Sequence, residues 1–68
     1  MILTLTTSGR RKAKDVMGKG IEQSILSTLE ENGPATIEEL AKDIAIAEFK
    51  IKEAAARLAN GNYLTRED

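Results

Sequence analysis

Sixty-eight residues, 41% apolar and 31% charged, suffice for one small core and leave no material for a second domain or a deep pocket. Cysteine and histidine are both absent, which removes disulfides, thiolate metal sites, the commonest zinc ligand and the usual general base. The net charge of −1 hides a split: residues 1–20 carry Arg10, Arg11, Lys12, Lys14 and Lys19 against Asp15, or +4, and residues 21–68 carry −5.

The chain opens on Ile2-Leu3-Thr4-Leu5-Thr6-Thr7, a β-branched run with Leu3 and Leu5 on one face, which reads as a short strand. Ser8 stands where a helix N-cap belongs, and Ala13, Val16 and Met17 follow at helical spacing, so a basic helix is expected over 8–17. Gly18 and Gly20 end or bend it. A second helix begins near Ile21, with Ile21, Ile25, Leu26 and Leu29 inward and Glu22, Gln23, Ser27 and Glu30 outward, and Asn32-Gly33-Pro34 closes it.

Thr36 starts a third helix with a capping box, in which Thr36 and Glu39 satisfy each other's backbone amides. Ile37, Leu40, Ala41 and Ile44 form its apolar stripe. After a short turn through Ala45-Ile46-Ala47, a fourth helix is expected over 48–60, with Ile51, Ala54, Ala55 and Leu58 facing in. Asn60-Gly61-Asn62 suits a left-handed cap, and Tyr63-Leu64-Thr65 reads as a closing strand able to pair with the opening one. The expected fold is therefore mainly α (small α+β), in the order β-α-α-α-α-β, with a two-stranded sheet made from the two ends. Residues 1–20 would supply the first strand and basic helix of this single domain, and residues 21–65 its core.

Residues 21–65 resemble the winged helix-turn-helix superfamily of bacterial and archaeal regulators. The resemblance rests on Ile25-Leu26 to Gly33-Pro34, on Thr36-Ile37-Glu38-Glu39-Leu40-Ala41, and on Ile51 through Arg57-Leu58 to Tyr63-Leu64. It implies that helix 48–60 is a recognition helix, which in this family lies in the DNA major groove. The chain departs from the pattern at Ala45, where the family often has Gly, and at Ala47, where it has a Ser or Thr cap. Ala54-Ala55 replaces a larger apolar residue. Only four residues follow Leu64, so no second wing strand is expected there; Met1–Thr6 can fill its place in the sheet, without a projecting wing.

On a helical wheel with Ile51 inward, Phe49, Glu53, Ala56 and Asn60 centre the outward face of helix 48–60, flanked by Lys50 and Arg57 on one side and Lys52 on the other. The cations suit phosphates, Asn60 a base or phosphate, and Phe49 a thymine methyl. Glu53 repels phosphate unless it accepts from a cytosine amino group. Arg10, Arg11, Lys12 and Lys14 would add phosphate contacts if they lie beside this helix, and otherwise form a solvated face or a second docking surface. The leading expectation is a DNA-binding module, a transcriptional regulator acting on double-stranded DNA. The alternative is a protein-docking module that uses Phe49 and Ala56. Phe49 has a structural alternative as well, folding back over the third helix to fill the core. A homodimer through the added first helix is a further option.

No catalytic role, cofactor, metal or small-molecule substrate is expected. Gly18-Lys19-Gly20 lacks the spacing of a phosphate loop, and Ser8, Ser24 and Ser27 have no histidine to activate them. Glu30-Glu31 and Glu38-Glu39 read as helix-end caps and dipole complements. No apolar run approaches the ~18 residues of a membrane span, and no basic-then-apolar leader pattern is present, so a cytoplasmic location is expected.

Overall fold

The β-branched N-terminal run forms strand β1 (Ile2–Leu5), and it occupies the centre of the sheet rather than an edge. In the computed structural model, which describes residues 1–15, 18 and 20–67, β1 is followed by α1 (Thr7–Ala13), α2 (Gly20–Asn32), β2 (Ala35–Thr36), α3 (Ile37–Ile44), α4 (Glu48–Asn60) and β3 (Leu64–Glu67). Val16 and Met17, expected to continue the inward stripe of the first helix, and Lys19 of the basic segment lie outside the described residues.

The pairing of the two ends is present, antiparallel, with Leu5 opposite Leu64 and Ile2 opposite Glu67. The sheet nevertheless has three strands, in the order β2-β1-β3, because β2 pairs with the other edge of β1, Ile2 opposite Thr36 and Leu3 opposite Ala35. The expected order thus gains a strand between α2 and α3. The physical reason lies in Thr36: an N-cap residue has extended backbone, here φ −86° and ψ 165°, so it can end a strand and cap a helix at once.

Helix α1 is shorter than expected and starts one residue earlier. Its cap is Thr6, not Ser8: the Thr6 hydroxyl accepts from the Gly9 amide at 3.0 Å and donates to the Asn62 carbonyl. Gly9 is buried, and a Cβ there would collide with the Tyr63 carbonyl, so only glycine lets the two segments approach. At the other end, the Gln23 side chain donates to the carbonyls of Lys12 and Ala13 at 3.1 and 3.0 Å. Gln23 therefore faces α1 and caps it, instead of facing water.

The helical stripes assemble one core of Leu3, Ile25, Leu26, Leu29, Ala35, Ile37, Leu40, Ile51, Ala54, Ala55, Leu58 and Leu64. Among the described residues no polar or charged residue is buried in it, and no buried side-chain polar atom lacks a partner. Helix α2 ends as expected, with Gly33 left-handed at φ 85° and its amide bonded to the Leu29 carbonyl at 2.9 Å. Glu38 and Glu39 lie in the first turn of α3, where they favour its dipole, whereas Glu30 and Glu31 fall in the last turn of α2, where they oppose it.

Candidate nucleic-acid interface

Helix α4 lies against α2, α3 and β3 through Ile51, Ala54, Ala55 and Leu58, all buried, as the wheel requires. The small pair Ala54-Ala55 lets neighbouring helices come close, so Leu and Ile close the core without an aromatic. Phe49 is accordingly 64% exposed. The alternative in which it folds back over α3 to fill the core is overturned: the ring is exposed and lines a groove with Gly20, Ile21 and Glu22 of α2.

The turn that leads into α4 is built by backbone geometry alone. Ala45 adopts the left-handed conformation at φ 63° and ψ 46°, and both its amide and that of Ile46 donate to the Ala41 carbonyl. Ala47 precedes α4 and supplies no side-chain cap. At the far end Gly61 is not left-handed (φ −87°). Asn62 takes that role at φ 64°, and the Tyr63 amide returns to the Leu58 carbonyl at 2.9 Å.

Phe49, Lys50, Lys52, Glu53, Arg57 and Asn60 are all exposed on the outer side of α4, and Ala56 among them is half-buried. Arg57 Nη2 donates to Glu53 Oε1 at 3.2 Å, one helical turn apart. Toward α2, Phe49, Lys50, Glu53 and Arg57 face Gly20, Ile21 and Glu22 across a groove of about 390 Å³. Toward β1, Lys52 and Glu48 share a smaller hollow with Met1 and Thr36. A third groove, about 650 Å³, runs between α3 and the start of α4 and carries Glu38, Glu39, Lys42 and Glu48 over a floor of Ala41, Ile46 and Ala47. Cations thus flank the middle of α4, and carboxylates gather at its N-terminal end.

Of the basic residues 10–14, Arg10 and Lys12 sit in different surroundings. Helix α1 packs on α2 and β1. Arg10 lines a cleft with Leu5, Leu29, Glu30 and Pro34, at the C-terminal end of α2. Lys12 is held over the Tyr63 ring, 5.1 Å from its centroid, just beyond the C-terminal end of α4; Arg11 and Lys14 are exposed. Sequence reasoning put Tyr63 in the closing strand, Ile21 on the inward stripe of the second helix and Glu22 on its outer side, and counted none of them in the candidate site. The signal for Tyr63 was its aromatic ring directly after the Asn60-Gly61-Asn62 turn, which brings it back beside α1.

No group of His, Cys, Asp or Glu side chains among the described residues is placed to hold a metal ion, and no helix there is long and apolar enough to cross a membrane. No family model matches the chain, and comparisons with curated proteins and with solved structures found no match either.

Proposed function

We propose that the chain is a winged helix-turn-helix module that binds double-stranded DNA with α4 as its recognition helix and acts in the cytoplasm as a transcriptional regulator. The single observation that carries this reading is the bare outer side of α4, where Lys50, Lys52, Arg57 and Asn60 are all exposed along 13 residues of helix. A helix of that length, ~1.5 Å per residue, fits along a major groove. The α3-turn-α4 unit has the matching design, a capped short helix followed by a left-handed turn and a longer helix. Strand β1 stands where a second wing strand would otherwise stand, which leaves the module without a projecting wing.

Replacement of Lys50, Lys52 and Arg57 together by alanine tests the reading. All three are exposed, so the fold persists while affinity for a mixed-sequence duplex at low salt falls by at least tenfold and the salt dependence becomes shallower. Unchanged DNA binding would remove α4 from the interface.

Phe49 favours a second reading, protein docking through the Phe49-Ala56 strip. An aromatic ring exposed at 64%, lining a groove with Ile21 and Ala54, suits an apolar partner segment better than it suits phosphate. Amide shifts recorded during a duplex titration separate the two: salt-sensitive shifts over 48–60 support DNA, and their absence supports docking.

A further inference from the structure

On the DNA-binding reading of α4, we infer that Glu53 and Arg57 form a base-reading pair selective for G·C pairs, with Glu53 acting against non-specific phosphate binding. Phe49, Glu53 and Arg57 are spaced at i, i+4 and i+8, a row along the outer side of α4 with about 6 Å between successive members. The row presents an apolar ring, then an acceptor, then a donor.

The charges of Glu53 and Arg57 cancel, and both side chains are well exposed, Arg57 at 59% and Glu53 at 68%. A pair of zero net charge, with its carboxylate at the centre of the face and its cation on the flank, adds nothing to phosphate neutralisation, and the carboxylate repels phosphates that approach it. What the pair adds is geometry. Guanidinium carries five N–H donors in a planar fork, and the bond to Glu53 engages one. The carboxylate draws the fork from the flank of the face, where Arg57 lies beside Lys50, toward Glu53 at its centre, and there guanine O6 and N7 can accept from it in bidentate fashion. The second carboxylate oxygen, Oε2, can accept from a cytosine amino group, which carries no acceptor beside it on its own major-groove edge, whereas the adenine amino group stands next to N7, which repels a carboxylate. Lys50 and Lys52 flank the pair and supply the backbone contacts it lacks.

The test is selection from a randomised duplex pool by the wild-type chain, followed by affinity measurements on the selected sites and their G·C→A·T variants, for wild type, Glu53→Gln, Arg57→Lys and Arg57→Ala. The wild type is expected to select sites containing a G·C pair and to lose about five- to a hundredfold in affinity when it is replaced. Glu53→Gln should bind random DNA several-fold more tightly and discriminate less, whereas Arg57→Lys should keep the salt dependence and lose the discrimination. Thermal melting of each variant, expected to match wild type, excludes loss of fold. Selection without G·C preference, or the same discrimination in Glu53→Gln, overturns the pair while leaving DNA binding in place. Failure of the wild type to retain any duplex at low salt overturns the DNA-binding reading itself.

Discussion

Helices α3 and α4 begin in opposite ways. At the start of α3 the Thr36 amide donates to Glu39 Oε1 at 3.0 Å and the Glu39 amide donates to the Thr36 hydroxyl at 3.1 Å, with two carboxylates in the first turn. At the start of α4, Ala47 offers no acceptor, and the turn before it forces Ala45 into a left-handed conformation that disfavours a Cβ. The first terminus is specified by residues within one turn of each other. The second is held by what α4 packs against, so the helix proposed to meet the ligand is the one whose entry owes least to local chemistry.

Substitutions at three positions sharpen that contrast, followed by urea denaturation with circular dichroism. Ile51, fully buried, anchors α4 in the core. Ile51→Ala is expected to cost ~2–5 kcal/mol, a large share of the roughly 3–10 kcal/mol that a domain of this size commands, and to leave little folded protein at moderate urea. A small effect would mean that α4 is held by its own propensity. Thr36→Ala removes the reciprocal cap of α3 and is expected to cost about 1 kcal/mol, with Thr36→Ser retaining most of it. Equal losses in the two variants would point to the pairing of β2 as the cause. Ala47→Ser gives α4 the acceptor it lacks and is expected to raise stability by about 0.5–1 kcal/mol. No gain would show that tertiary packing already sets the position of that terminus.

The same contrast explains what could be read from the residues. The bounds of α4, its buried stripe and the capping box of α3 follow from local spacing, and all three match the expectation. The pairing of β1 with β3 was legible because both are short β-favouring segments with nothing else to pair with. Strand β2 was not legible: two residues, Ala35 and Thr36, become a strand only because β1 lies beside them. The cap of α1 was misplaced because Thr6, Thr7 and Ser8 all qualify chemically, and the choice is made by Tyr63 and Asn62, more than fifty residues away. For the candidate site, the residues read as outward on α4 are exposed, apart from the half-buried Ala56. The Glu53–Arg57 bond is an i, i+4 pair that spacing allows and the reading of the residues did not draw, whereas the surroundings of Arg10 and Lys12 depend on which elements neighbour them, and spacing carries no record of that.

The central position of β1 also orders events in time. Ile2 lies opposite Glu67, so the second edge of β1 is covered only once residues 64–67 have reached it. Until then only Ile2 and Leu3 can pair, with the short β2, and loop closure from β1 to β3 has to precede the completed sheet. Helices α2 and α4 pack on the same strands, with Leu3 and Leu64 in their shared core, so β1 acts as a latch that residues 64–67 close on sheet and helices together.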